Sequence, residues 1–181
     1  MPLIPQFGCD LPEPPTDCEW LFDIGEKIRQ GAMDGLTPYL PAEGTPCAGF
    51  ESYVSLGEPP ADACDILGVW LMGYGPSTRA ARRMADQPGY STPDYQSEWS
   101  VNLWEQCYPG PTEAGGVVEL PDLELLHEVN RWVYQHGMAM YHGVLDAFKG
   151  DICSTVVPSS MRALMPQGGC GGWQFSVIVS A

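Results

Sequence analysis

Ile66-Leu67-Gly68-Val69-Trp70-Leu71-Met72-Gly73-Tyr74 opens an uncharged apolar stretch that continues to Thr78. Its side chains are apolar at odd and even positions alike, which is typical of a strand that is covered on both faces. A membrane helix needs about 20 apolar residues, so this glycine-interrupted stretch is too short to be one. We therefore predict a buried strand over residues 66–74, near the centre of a sheet.

Three other segments show strand patterns. Residues 50–55 form a short candidate strand. In residues 99–104, Trp99, Val101 and Leu103 alternate with Ser100, Asn102 and Trp104. In residues 173–180, Trp173, Phe175, Val177 and Val179 alternate with Gln174, Ser176, Ile178 and Ser180. Such alternation with a period of two predicts strands that have at least one buried face.

Two segments show helical periodicity, and the first follows a capping box. Thr16-Asp17-Cys18-Glu19 has the Ser/Thr-x-x-Glu pattern of that motif. Apolar residues then recur at helical spacing at Leu21, Ile24, Ile28, Ala32 and Leu36. Gly35 and Pro38 favour the end of this helix, so we predict that it spans Asp17 to Asp34.

The second helical pattern is longer and begins at Pro121, a residue that is tolerated in the first turn of a helix. Its apolar stripe consists of Leu126, Val129, Val133, Met140, Val144 and Phe148. Gly150 suits the C-terminal cap, and Gly137 is a candidate position for a kink.

The order of these elements predicts an α+β fold. A mostly antiparallel sheet with two helices packed on one face hides both apolar stripes with few layers. The 18 Pro and 21 Gly residues indicate long irregular loops between the elements. We predict an extended N-terminal arm over residues 1–15 and a single domain over residues 16–181, since 181 residues suit one domain better than two.

The chain is strongly acidic, with eight basic residues against 23 acidic ones and a net charge of −15. Such a surface repels phosphate backbones, which disfavours tight binding to the outside of DNA or to an anionic membrane. Solubility alone would also explain the charge. No secretory signal is visible at the N-terminus, so we expect the protein to be made in a cytosol.

The seven cysteines contain no C-x-x-C pair, which argues against a zinc ribbon or a thioredoxin-like redox motif. In a reducing compartment, buried free thiols are the default expectation. A Cys47–Cys64 or a Cys9–Cys18 disulfide after release into an oxidising medium stays open, because spacing alone does not decide it.

Motifs for catalysis are missing from the sequence. It has no G-x-S-x-G elbow, phosphate-binding P-loop, H-E-x-x-H motif or EF-hand loop. The glycines in Gly168-Gly169-Cys170-Gly171-Gly172 precede a predicted strand, so a tight turn or close backbone approach is favoured over a phosphate cradle. We predict no cofactor, no metal and no catalytic residue.

Three histidines lie on the predicted long helix. The spacings between His127, His136 and His142 place successive rings on different sides of a straight helix, which excludes a three-histidine metal face. We expect His136 to pack or hydrogen-bond at the edge of the apolar stripe. A Cys–His nucleophile pair stays open, since such pairs meet only in the fold.

Arg79, Arg82 and Arg83 form the densest group of positive charge in this acidic chain. Guanidinium groups in one loop could dock an acidic patch on a neighbouring copy or on a partner, which makes these residues a candidate interface. The alternative is a solvated loop with local ion pairs of little energetic value.

The C-terminal segment Pro166-Gln167-Gly168-Gly169-Cys170-Gly171-Gly172-Trp173-Gln174-Phe175-Ser176-Val177 resembles a known family ending. The pattern P-x-G-G-C-x-G-x-W-x-[FV]-x-V is typical of the tail terminator proteins of siphovirus-type actinobacteriophages. A second match comprises Pro46-Cys47, Ser55-Leu56-Gly57-Glu58-Pro59-Pro60, Asp62-Ala63-Cys64-Asp65 and the strand with Val69-Trp70-Leu71. The residues that carry the resemblance are Cys47, Cys64, Trp70, Gly168, Gly169, Cys170, Gly172 and Trp173.

This resemblance implies a structural protein of the virion, assembled in the host cytoplasm and located in the tail and neck. Its expected partners are further copies of the chain in a hexameric ring, the tail tube protein and the head-side stopper. Phage DNA would pass through the ring without specific binding, and an acidic lumen suits such passage because like charges repel.

Three alternatives stay open at the level of sequence. The nearest is another head–tail connector, such as a stopper or a head-completion protein. A small cytosolic enzyme with a Cys–His pair is a second class. A secreted acidic binding domain is a third, and the missing signal and odd cysteine count argue against it.

Overall fold

The structure of the chain is a computed structural model. It describes residues 19–40, 50–55, 64–76, 95–105, 112–114, 117–119, 122–151, 155–167 and 170–180. The predicted N-terminal arm and the Thr16 end of the predicted capping box lie outside these residues.

The described residues form two α-helices, a short 3-10 helix and eight strands. The helices are α1 (Glu19–Leu36) and α2 (Leu123–Ala147), and the 3-10 helix spans Thr37–Tyr39. The strands are β1 (Glu51–Ser55), β2 (Ile66–Pro76), β3 (Tyr95–Glu105), β4 (Thr112–Ala114), β5 (Val117–Glu119), β6 (Thr155–Pro158), β7 (Arg162–Gln167) and β8 (Cys170–Ser180).

The main sheet has six strands in the order β1-β2-β3-β8-β6, and β7 also pairs with β8. All its pairings are antiparallel except that of β1 with β2. Strands β4 and β5 form a separate two-stranded sheet. Together with the two helices packed against the main sheet, this arrangement confirms the predicted α+β fold class.

Residues 66–74 belong to an interior strand, β2, which pairs with β1 and β3 as a strand near the centre should, but they do not form the middle strand itself. The middle of the sheet is held by β3 and β8, whereas β2 lies one strand from the edge. Leu67, Val69 and Trp70 are buried as expected, but Met72 and Tyr74 are exposed beyond a bulge at residues 71–73. The apolar pattern predicted burial of the whole segment, and this holds only for its first half. The pattern carried no information on which strands lie beside it.

The predicted first helix is confirmed, with an end two residues later than expected. Gly35 lies inside α1 because it packs directly against α2: a Cβ atom at Gly35 would overlap the backbone of Ala139. Gly143 of α2 faces Gly31 in the same way. These contacts bring the two helix axes close together, and larger residues would force them apart.

The long helix is confirmed as α2, with Asp122 as its N-cap residue. The Asp122 side chain accepts a hydrogen bond from the Glu124 backbone at 2.9 Å. Most of the predicted stripe is buried against α1 and the sheet, and the buried members are Val129, Val133, Met140, Val144 and Phe148. Gly150 has a φ of +85°, so it takes the left-handed conformation that a helix end favours.

Candidate functional site at one end of the sheet

The residues with the most unusual environments meet at one end of the main sheet. Strand register places the end of β3 beside the start of β2 and the start of β8: Trp104 pairs with Ile66, and Glu105 pairs with Gly171. Here α2 and the 3-10 helix also approach the sheet. We call this region the Glu105 end.

A disulfide between Cys64 and Cys170 ties β2 to β8 at the Glu105 end. The two residues lie 106 positions apart in the chain, and their Cα atoms are 5.8 Å apart. The pairing corrects two expectations, the free thiol at both positions and the Cys47–Cys64 bridge. Sequence spacing missed it because β2 and β8 reach the same end of the sheet only in the folded chain.

Glu105 and His136 form a buried pair beside this disulfide. The Nδ1 atom of His136 hydrogen-bonds with Oε1 of Glu105, and its Nε2 atom donates to the backbone oxygen of Tyr39 at 3.1 Å. The side chains are 0% and 1% exposed for Glu105 and His136. The pair thus connects β3, α2 and the 3-10 helix in the interior.

The expectation that His136 lies at the edge of the stripe is therefore wrong, although the hydrogen bonding is confirmed. Its partner Glu105 was missed by sequence reasoning. A signal did exist, because Glu105 continues the alternation of Trp99, Val101 and Leu103 and so faces the helices. A carboxylate at such a position needs a buried partner.

The protonation of the pair follows from its surroundings. Burial raises the pKa of Glu105, and the nearby Asp65 adds to this, while His136 acts in the opposite direction. Burial alone lowers the pKa of His136, but the Glu105 carboxylate and the Tyr39 carbonyl outweigh burial and raise it. Both shifts favour retention of a proton, so the buried pair keeps its protons to higher pH than the two groups would in water.

This pair is placed to support the fold and not to meet a dissolved substrate. Both ring nitrogens of His136 are engaged, and the ring has almost no contact with solvent. The second carboxylate oxygen of Glu105, Oε2, is buried with no hydrogen-bond partner among the described residues. Removing either member would leave the other as a buried group without its partner.

Trp173 anchors α2 to β8 next to the pair. Its ring Nε1 donates to the backbone oxygen of Val133 at 2.7 Å. A Cβ atom at Gly137 would overlap the Trp173 ring, so the glycine provides room for the indole. The helix runs through Gly137 without a break, and packing explains this glycine better than the predicted kink.

Gly172 allows a second close approach, because a Cβ atom there would overlap the backbone oxygen of Leu103 on β3. The face of the sheet away from the helices is also buried at its centre. Trp70 is 5% exposed there, and Asn102 donates to the Ser100 hydroxyl at 2.8 Å. Of the motif residues, Gly172 thus allows close contact between β8 and β3, and Trp173 holds β8 against α2.

A groove of about 390 Å³ runs along the outer side of the helix pair. It is formed by the C-terminal part of α1, the 3-10 helix and the middle of α2. We call it the helix groove, and its lining residues are Asp34, Gly35, Pro38, Tyr39, Tyr134, Gln135, Met138, Ala139, His142, Gly143 and Asp146.

Of the other predicted histidines, His142 lines the helix groove, whereas His127 does not line it. Both His127 and His142 are exposed, whereas His136 is buried. Within the described part of the chain, no group of three or more His, Cys, Asp or Glu residues could hold a metal ion. Other predicted positions lie outside the described residues, and these are Cys9, Cys18, Cys47, Arg79, Arg82, Arg83, Gly168 and Gly169.

In the part of the chain that the structure describes, no helix is both long and apolar enough to cross a membrane. Comparison with known proteins gives no assignment, since the sequence matches no protein-family model and no curated protein.

Proposed function

We propose that this chain is a structural subunit that forms a ring at the head-proximal end of a phage tail tube and joins the tail to the neck. In this role it ends tube growth, contacts the tube protein and the head-side stopper, and lets DNA pass through a central opening. It performs no catalysis. The resemblance of the C-terminal segment to tail terminator proteins is the origin of this proposal.

The observation that carries the proposal is the joint position of four motif residues. Cys64 and Cys170 form a disulfide, Gly172 admits the β3 backbone and Trp173 anchors α2, all at the Glu105 end. Residues that carry the resemblance therefore hold the fold together instead of lining an accessible pocket. Such a use of a motif suits a protein that acts through its shape.

Aromatic and apolar residues at the opposite end of the sheet offer a contact surface for neighbouring subunits. Trp20 and Tyr95 are half-buried there, while Tyr74 and Met72 are exposed. The rings of Trp20 and Tyr74 lie 5.5 Å apart, and those of Tyr74 and Tyr95 lie 5.4 Å apart. Tyr74 is 44% exposed and the nearby Met72 is 59% exposed. A group of exposed apolar side chains of this kind is typical of a surface that a partner covers.

The net charge agrees with DNA passage. At −15 per copy, several copies around an axis would surround DNA with like charge. Adhesion to DNA depends on the release of counterions by basic residues, and an acidic channel lacks that driving force.

The proposal is tested by deleting the gene from a phage that encodes this chain and measuring the tails by electron microscopy. We expect tails of excessive and variable length, because nothing stops tube growth. Tails of normal length on heads that lose DNA would instead indicate a stopper or head-completion protein. Images of the purified protein should show closed rings with a central hole, and a strictly monomeric protein would contradict the proposal.

A further inference from the structure

We propose that the helix groove binds an arginine-bearing segment of a second copy of the chain, namely the segment that contains Arg79, Arg82 and Arg83. The choice of a second copy as the partner rests on the proposed ring assembly. The preference of the groove for arginine follows from the chemistry of its lining residues.

The walls and rims of the groove suit a guanidinium group. Asp34 from α1 and Asp146 from α2 supply carboxylates, while Tyr39 and Tyr134 are 53% and 57% exposed and present aromatic rings. Guanidinium is planar, donates two parallel hydrogen bonds to a carboxylate and stacks on aromatic faces. An ammonium group satisfies only the charge, so this combination favours arginine over lysine.

The contacts of the two carboxylates leave room for such a ligand. Asp34 accepts one hydrogen bond, from the Gln30 amide at 2.8 Å. Asp146 faces the Lys149 ammonium at 3.9 Å, and both of these side chains are largely exposed, at 73% and 83%. An exposed ion pair at that distance contributes little free energy, so an arginine could displace Lys149 as the partner of Asp146.

The chain itself contains the best candidate for the occupant. Among its eight basic residues, Arg79, Arg82 and Arg83 are the only three within five positions of one another. Two other cations are already engaged, because Lys27 pairs with Asp151 at 2.9 Å and Arg29 pairs with Glu26 at 2.8 Å. The arginine cluster therefore gives the strongest charge complement to the groove.

The strand directions favour a neighbouring copy as the donor. The groove reaches Tyr39, whose carbonyl contacts His136 at the Glu105 end. Pro76, the last residue of β2, lies at the other end of the sheet, about 30 Å away for a strand that rises roughly 3.3 Å per residue. Arg79, Arg82 and Arg83 follow three, six and seven residues later. Seven residues add a reach of at most about 25 Å, which is less than the distance to the Tyr39 end of the groove.

A contact between the groove of one copy and the arginine segment of the next is head-to-tail. Contacts of this type generate a closed ring when the rotation between copies closes. The helix groove would therefore form one side of the contact between neighbouring copies in the proposed ring.

The test uses a fluorescent peptide with the sequence of residues 76–87 and the full-length chain at low concentration. We expect saturable binding by fluorescence anisotropy. The double substitution Asp34→Asn with Asp146→Asn should weaken binding at least about tenfold, because it removes charge-assisted hydrogen bonds. A peptide with glutamine in place of all three arginines should bind with a similar loss.

The matched control is Asp23→Asn with Glu128→Gln, which removes the same charge from exposed helix positions outside the groove. It should bind the peptide nearly as well as the unchanged chain. Equal loss in the control, or equal binding of a scrambled peptide of the same composition, would reduce the effect to attraction by net charge and overturn the proposal. Absence of any binding would also overturn it.

A second variant tests the aromatic part of the groove. Tyr134→Ala should weaken peptide binding severalfold while the thermal unfolding midpoint stays near that of the unchanged chain, because this ring is exposed. The outcomes separate the two proposals. Peptide binding with tails of normal length would contradict only the terminator function, whereas rings that form normally without Asp34 and Asp146 would contradict only the groove.

Discussion

Glu105 and His136 are the residues whose environment departs most from what their side chains prefer in water. A carboxylate and an imidazole without solvent contact require each other, and the Tyr39 carbonyl completes the set of partners. Removing one member leaves an uncompensated polar group in the interior. The resulting loss in free energy of unfolding exceeds the net stabilisation that the intact pair provides. The pair should therefore affect both the free energy of unfolding and its dependence on pH.

Replacing one member of the pair should destabilise the fold strongly. We expect His136→Ala to lower the free energy of unfolding by about 3–5 kcal/mol, because Glu105 would remain buried without its partner. Urea unfolding followed by circular dichroism measures this change. Glu128→Gln on the exposed side of α2 is the control, and a similar loss in that variant would contradict the explanation.

Stability should also fall as the pH rises. The pKa of His136 is raised above its ordinary 6.5 and that of Glu105 above its ordinary 4.5, so the folded state binds more protons than the unfolded state. The contribution of His136 is complete below pH 6.5 and is lost as the pH rises through its folded pKa. The Glu105 shift acts in the same direction from pH 4.5 upward.

Urea unfolding between pH 5 and pH 9 checks the pH prediction. The difference between the unchanged chain and the double variant Glu105→Gln with His136→Gln isolates the pair from the remaining acidic groups. That difference should shrink toward high pH, and a constant difference would show that the pair does not titrate in this range.

At the scale of elements, the crossing of α1 and α2 depends on residues without side chains. Gly31, Gly35 and Gly143 bring the helix backbones into contact, and the buried stripe of α2 extends from this crossing. A glycine inside a helix is unfavourable by about 1 kcal/mol compared with alanine. Close packing between the helices offsets that loss here.

We therefore expect Gly143→Ala to destabilise the protein, although alanine favours a helix. The added methyl group would overlap the Gly31 carbonyl, and overpacking of this kind costs about 1–3 kcal/mol. Thermal unfolding measures the shift. Gly73→Ala is the control because no atom of the described residues lies within 4 Å of its Cβ position. A larger loss there than at Gly143 would contradict the close-packing account.

At the scale of the whole molecule, the Cys64–Cys170 disulfide spans more than half of the chain. It joins the start of β2 to the start of β8 across a segment that contains β3, the four short strands β4 to β7 and α2. A crosslink over so long a loop restricts the unfolded chain strongly, although the size of the effect depends on the mechanism assumed. Its presence also links the stability of the protein to the redox state of its surroundings.

Reduction should lower the free energy of unfolding by about 2–4 kcal/mol. Chemical unfolding with and without a phosphine reductant measures the effect. The variant Cys64→Ser with Cys170→Ser should already have the lower stability and should not respond to the reductant. A variant that still responds would show that other cysteines cause the effect.

Local sequence patterns were enough to predict the α+β class, both helices and the strands β1, β2, β3 and β8. These elements follow from periodicity and capping, which depend on residues within a few positions of each other. The strands β4, β5 and β6 were missed because three or four residues contain too few repeats to show a period, and β7 was missed as well. The end of α1 was misplaced because a glycine that normally ends a helix serves helix packing here.

Four features depend on contacts between distant segments and could not be predicted from local patterns. These are the strand order, the partner of Cys64, the partner of His136 and the position of the helix groove. Glu105 lies 31 residues from His136, and Cys64 lies 106 residues from Cys170. Local pattern specifies which face of an element is buried, and it does not specify which distant element covers that face. That choice depends on the packing of all elements at once, where a few close glycine contacts and one buried ion pair select the arrangement.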